Sequence, residues 1–297
     1  MEYGRITATD LEKADTRLPP DAAGNDAVLQ KGRGSTKFYM GTPKWGRKEW
    51  IGTLYPKGTK DAQFLEQYLK HYNSIEFNAT HYKTFTPDEI EKWSVKAAGK
   101  NFKFCPKVTN SISHYSGFDN VEGLTNTFLE GISAFGNLLG PVFLQISEKY
   151  NPKQREKLFR YLKMLPAYPC FFLEVRHPEW FTDPVIRREL FDMLRQARIG
   201  AVITDTLPHR EVIHMSLTIP KVFIRFTCQG DHHSDISRID DWVKRIKEWQ
   251  VKGLEECYFF VHVLNEGLSP EITRYVSQQF NAICNAGLPE VKLLTMF

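Results

Sequence analysis

Three reactive side chains follow an apolar run in the stretch CFFLEVRHPEW, Cys170 to Trp180: Glu174, Arg176 and His177. Glu174 and Arg176 are two residues apart, so on an extended chain they share a face. The same grammar recurs elsewhere. SIEFNATHY places Glu76, Asn78 and Thr80 at period two, followed by His81 and Tyr82. NFKFCPKV does so with Lys103, Cys105 and Lys107, and His114 follows in VTNSISHYSGF. Further along come Gln145, Asp205, Arg225 and His262, the last with Asn265 and Glu266 beyond it. Carboxylates beside histidines suit proton transfer. Lysines and arginines suit the binding of oxyanions, the arginines in bidentate fashion. The expected assignment makes Glu76 or Glu174 the base and His114 or His177 its proton partner. Lys107, Arg176 and Arg225 hold an anion, and Asp205 orients one of them. Asn78, Tyr82 and Trp180 complete the ligand contacts.

Two other readings compete for the same residues. A buried charge without a partner costs several (~3–5) kcal/mol. Glu76, Glu174 and Asp205 could therefore serve only to neutralise Lys107, Arg176 and Arg225. Alternatively, His114, His177, Asp205, Glu174 and His262 could hold a divalent metal. No H-x-H or HExxH spacing supports that set, so no cofactor is expected and a metal remains the alternative. The run DHHSD, Asp231 to Asp235, reads as a solvated polar loop before it reads as a metal cluster. The aromatics Trp45, Trp50, Tyr55, Tyr82 and Trp180 follow strand ends. There they could stack on sugars or bases, or simply pack loops onto the body.

Such residues need a scaffold that brings strand ends together. From residue 37 onward, short β-rich runs alternate with segments of helical period. Eight strands are predicted, at 37–45, 74–82, 101–108, 140–147, 170–177, 200–206, 221–228 and 257–264. Helix starts are marked by Thr86-Pro87, Asn151-Pro152, Asp183-Pro184 and Ser269-Pro270, each a capping side chain before a proline. Glu89 completes a capping box with Thr86. The sixth connection, 207–220, is too short and too Pro-punctuated for a helix. Eight β-α alternations predict an α/β fold, a single (β/α)8 TIM-type barrel over 37–297, with reactive groups at the C-terminal ends of its strands. No G-x-G-x-x-G follows the first strand, which argues against an open dinucleotide-binding sheet. Residues 1–36 mix Pro, Gly and charge, and are expected to form a poorly structured or loosely packed N-terminal extension.

The 297 residues carry 39 Lys+Arg against 35 Asp+Glu, a net charge of +4. That is compatible with a small anionic or polar ligand but does not support nucleic acid as the partner. Five cysteines lie far apart with no C-x-x-C pair, as for core thiols in a reducing compartment. There is no membrane-length apolar run and no signal-peptide pattern, so the expected location is the cytoplasm.

Several separated motifs together resemble the YecE-like family, also called domain of unknown function 72. They are GTPKWGRKEWIGTLYP (41–56), SIEFNATHYKTFTPDEIEKW (74–93), FKFCPKVTNSISH (102–114), EVRHPEW (174–180) and the Thr204–Asp205 pair. The resemblance spans roughly residues 38–284. It implies a TIM-type barrel and no established reaction. It also departs from the family pattern: Arg225-Phe226-Thr227-Cys228 stands where Arg-x-His-Gly is usual, and Val261-His262-Val263 where a Phe-Asn-Asn type motif is usual. The expected function is acid/base chemistry on a small anionic, sugar- or phosphate-like substrate by a hydrolase, lyase or isomerase. The alternatives are a metal-dependent phosphodiesterase or abasic-site nuclease, and a non-catalytic module for nucleic acid or an anionic metabolite.

Overall fold

Strand and helix periods separate cleanly along the chain, and the elements follow them. In a computed structural model, residues 4–294 are described apart from 31, 33 and 231. Among them are eight strands: β1 (Lys37–Gly41), β2 (Ser74–Phe77), β3 (Lys103–Pro106), β4 (Val142–Gln145), β5 (Phe171–Glu174), β6 (Gly200–Asp205), β7 (Lys221–Cys228) and β8 (Glu256–Val263). Each expected strand is present, but several are shorter than the sequence suggested. β2 stops at Phe77 because the chain turns into a helical turn, Ala79–Tyr82. There Thr80 Oγ1 donates to Phe77 O (3.0 Å) and Lys107 O (2.8 Å), so Asn78 and Thr80 do not extend the Glu76 face of the strand. β5 likewise ends at Glu174, leaving Arg176 and His177 beyond it.

Caps fix where helices begin. Thr86 Oγ1 accepts from Glu89 N while a Glu89 oxygen accepts from Thr86 N (2.9 Å), forming the capping box at the head of the helix Pro87–Ala97. Asp183 Oδ1 accepts from Val185 N (2.8 Å) ahead of Pro184–Ala197. Ser269, expected as a cap, is instead the first residue of its helix, Ser269–Cys284. The connection after β6 holds only a 3-10 turn, Arg210–Val212. The DHHSD run is not a loop: the helix His232–Lys252 starts within it, and Asp235 is buried. Asp231 lies outside the described residues.

All strand pairs are parallel. β1-β8-β7-β6-β5-β4 form one sheet and β2-β3 a second. The ladders thus give an α/β fold with a six-stranded and a two-stranded sheet, where the sequence predicted one ring. Contacts nonetheless cross both seams. Gly140 N donates to Phe104 O (2.7 Å) and Val108 N to Phe143 O (2.9 Å) between β3 and β4. Glu76 N donates to Thr42 O (3.2 Å) between β1 and β2. At that second seam a Cβ on Gly41 would fall 2.1 Å from Ser74 O, so only glycine permits the approach.

Over its described residues the extension is not loose. The helix Asn25–Leu29 buries Asn25, Val28 and Leu29. Asn25 Nδ2 donates to Met215 O (2.7 Å) and Asn25 Oδ1 accepts from Leu217 N (2.8 Å). Arg210 and Arg245 donate to the carbonyls of Arg17 and Pro19, and Gln229 holds Gly4 O and Ile6 N. Polar side chains thus dock this segment by hydrogen bonds, a role that its composition does not reveal. Asn25→Ala strips two buried backbone groups of their partners and is expected to cost about 1–3 kcal/mol. Urea unfolding checks this, and an unchanged midpoint would mean that the segment is not integrated.

Candidate functional site

The strands stack two layers on the face they share. The lower layer is apolar: Cys105, Phe143, Phe172, Val202, Phe223 and Phe260 are buried together. Phe223 meets Phe143, Phe172 and Phe260 at ring-centroid distances of 5.2, 5.5 and 4.9 Å. Two residues further along each strand, the same face presents Lys107, Gln145, Glu174, Thr204, Arg225 and His262, and β2 adds Glu76. Period two therefore lifts one polar residue from each of β2 to β8 to the same level, towards the C-terminal ends.

Arg225 lies at the centre of this upper layer. Its Nε and Nη2 donate to the two Glu76 oxygens (2.9 Å each). Its Nη1 donates to both Glu174 oxygens (3.0 and 2.8 Å) and reaches Gln145 Oε1 at 3.3 Å. Its guanidinium carbon also lies 5.6 Å from the centre of the Phe143 ring. Glu174 Oε1 further accepts from Arg176 Nε (2.7 Å) and Thr204 Oγ1 (2.9 Å). Glu76 Oε1 accepts from Asn78 Nδ2, and Oε2 is hydrogen-bonded to His262 Nε2, both at 2.8 Å. Lys107 Nζ donates to Gln145 Oε1 (2.9 Å). Arg225 thus points its donors at carboxylates, not at an incoming anion.

The charges explain the titration behaviour. Burial alone would raise the Glu174 carboxyl, but Arg176 and Arg225 outweigh it and hold it down to about 2. Glu76, fully buried, is also held well below the usual carboxylate range: burial opposes this, and Arg225 and His262 overcome it. Burial, reinforced by Arg225, lowers the Lys107 ammonium to about 8. Burial and Lys107 lower His81 to about 4. His81 Nδ1 faces Val108 O at 2.8 Å, and a carbonyl only accepts, so neutral His81 carries its proton on Nδ1. Lys107, Arg176 and Arg225 share this layer with Glu76 and Glu174, and Glu148 reaches Arg176 from its rim (3.4 Å).

Above this layer opens a cavity of about 160 Å³, with Arg176, Thr204, Arg225, Thr227, His262 and Glu266 in its walls. Burial raises Glu266, which is paired with Arg47. Gly4 of the N-terminal segment packs beside Thr227: a Cβ there would lie 3.0 Å from Thr227 Cγ2.

Not every expected site residue joins this constellation. Asp205 follows inward-facing Thr204 by one residue, and its carboxylate is taken up by Arg238 (2.6 Å), Arg210 (3.0 Å) and Trp242 Nε1 (2.6 Å). Trp180 is fully buried, with Nε1 donating to Tyr150 O (2.9 Å), so it packs a loop. His177 Nδ1 accepts from Glu179 N (3.3 Å) in its own turn. His114 is hydrogen-bonded to Ser113 Oγ (2.7 Å), and its ring lies 5.1 Å from that of His81. Burial, then Lys107, lowers its pKa. Tyr82 is exposed in a neighbouring groove. Conversely, Gln145, Thr204 and His262 belong to the layer without having been assigned to the acid/base or anion-binding set. Each stands two residues after an inward apolar residue, the signal that could have found them. Among the described residues, no three His, Cys, Asp or Glu side chains are grouped to hold a metal ion. Nor is any helix long and apolar enough to cross a membrane.

The sequence that builds this parallel α/β scaffold matches, over residues 39–292, the family described as "Protein of unknown function DUF72", and the chain belongs to that family. The chain is 26% identical over 253 residues to the Escherichia coli UPF0759 protein YecE, covering 79% of this chain and 89% of that one. It is 27% identical over 176 residues to the Bacillus subtilis UPF0759 protein YunF, covering 57% of this chain and 61% of that one. A crystal structure of a DUF72 family protein from Enterococcus faecalis superimposes with a TM-score of 0.60 at 16% identity, covering 88% of this chain and all of the other. That likeness concerns the fold.

Two tests separate the buried clusters. Asp205→Ala leaves Arg238 buried without its closest carboxylate and is expected to lower unfolding free energy by about 3–5 kcal/mol. A loss below about 1 kcal/mol in urea titrations would contradict this. Glu174 titrates lower folded than unfolded, so its contribution is complete above about pH 4.5 and is lost as pH falls towards 2. Wild-type stability should fall by roughly 3 kcal/mol in that window from this group alone. Glu174→Gln should be less stable at pH 7 but flatter between pH 4.5 and 2; parallel curves would refute the assignment.

Proposed function

We propose that the two sheets make one closed eight-stranded barrel, and that its C-terminal mouth performs acid/base chemistry on a small oxyanionic substrate. The seam contacts and the reach of Arg225 on β7 to Glu76 on β2, which lie in different sheets, support the closure. The chemical reading rests on one observation above all. His262 lines the cavity with its side chain 22% exposed, while its Nε2 is held at 2.8 Å by Glu76, which is 0% exposed and locked by Arg225. A carboxylate fixed in this way orients the imidazole through Nε2, leaving Nδ1 to exchange a proton with a ligand. His262 thereby takes the part first assigned to His114 or His177, and Glu76 becomes its positioning partner.

Arg176, in the cavity wall and paired with Glu174 and Glu148, and Lys107, bonded to Gln145, are the cations that draw an oxyanion. Arg225, also in the wall, sets up the field while its donors are directed at Glu76 and Glu174. The cavity is about as large as one that accepts a benzene-sized guest, so the reacting portion has on the order of six heavy atoms. A hydroxy- or keto-acid, or one end of a phosphorylated polyol, fits that description. Among the described residues, the metal-dependent alternatives have no comparable cluster behind them.

Incubation in D₂O with a panel of such hydroxy-acids, keto-acids and polyol phosphates should show deuterium entering a carbon-bound position by NMR. His262→Ala should slow that exchange roughly 10²–10⁴-fold, and Arg176→Ala should weaken apparent substrate affinity. An exchange rate unchanged in His262→Ala would refute the acid/base role.

A further inference from the structure

The cavity adjoins a second, mainly apolar groove of about 280 Å³, with Pro43, Trp45, Phe77, Asn78 and Tyr82 in its walls. Pro43 belongs to both spaces. They are also joined through a single carboxylate: Asn78, in the groove, donates to Glu76 Oε1, and His262, in the cavity, bonds Glu76 Oε2. The aromatic walls differ in character. Trp45 is fixed, stacked on Phe77 at 5.6 Å with planes 14° apart. Tyr82 is 76% exposed, although the neighbouring His81 is buried. A large ring left open beside a polar cavity is a surface that a flat group can cover, and stacking rewards such contact without demanding a particular hydrogen-bond pattern.

We infer that the groove is a ring subsite, and that the ligand has two parts: an oxyanionic head in the mouth cavity and a planar, apolar or aromatic group attached to it that lies against Tyr82 and Trp45. The inference rests on the mouth binding an oxyanion, and it narrows the substrate class to ring-bearing acids or phosphate esters. The small head cavity supports it, because Pro43 lines both spaces and a ligand larger than the head has a path past it into the groove. Asn78 marks the junction, with its amide nitrogen committed to Glu76.

Calorimetric titration of the full chain with methyl phosphate and phenyl phosphate, and with acetate and phenylacetate, tests the two parts separately. Phenyl phosphate or phenylacetate is expected to bind at least about tenfold more tightly than its ring-free counterpart. Whichever pair binds identifies the head as phosphate or carboxylate. Tyr82→Ala should erase most of that advantage while leaving methyl phosphate or acetate affinity unchanged; Tyr82→Phe should retain it. If the ring-bearing member binds no more tightly, or Tyr82→Ala weakens both members equally, the ring subsite is overturned and the oxyanion mouth stands. If no member of either pair binds the wild-type chain, the oxyanion reading fails and the two-part ligand falls with it.

Discussion

One buried guanidinium between two buried carboxylates governs this molecule. Arg225, on β7, is bonded at once to Glu76 on β2 and Glu174 on β5, so three strands far apart in the chain share one electrostatic knot. Each ion would be costly alone in the interior, and each is tolerable only because its lone pairs or protons are used. The arrangement demands that β2 come within reach of β7, although no ladder joins them. It also demands the close approach at Gly41 and the side-chain bonds of Asn73 to Phe38 O and Met40 N, which hold β1 against the start of β2.

The apolar layer beneath gives that knot its strength. Phe143, Phe172, Phe223 and Phe260 fill the space that water would otherwise occupy, so the charges above interact in a medium of low polarisability. The same burial that raises the stakes for Glu76 and Glu174 weakens the hold of Lys107 on its proton. Stability and reactivity therefore come from one source. The cluster is rigid where carboxylates and guanidinium saturate one another, and it meets the cavity through His262 and Arg176.

The sequence told strands from helices well, because period two and period 3.6 separate cleanly and the proline-marked helix starts agree with both. It also brought Glu76, Glu174, Lys107 and Arg225 to one face, since three lie on regular strands and Lys107 follows β3 by one residue. It misplaced Asp205 by a single residue: Thr204 takes the inward position, and alternation turns Asp205 outward to Arg238 and Trp242. His177 and Trp180 lie past the end of β5, where alternation no longer dictates direction. Pairing between strands that do not adjoin in the chain was beyond periodicity altogether. So was the docking of Asn25, Val28 and Leu29, which depends on a few contacts scattered through a polar segment.

That segment changes what a comparison among relatives can reveal. The shared family region begins at residue 39, yet Gly4 rests against Thr227, a wall residue of the mouth cavity. An alignment trimmed to the common domain would preserve the charged knot and still delete part of the cavity's surroundings. Two family members with matching mouths on paper could then differ in the shape their ligands meet, through residues that no domain-level alignment would place side by side.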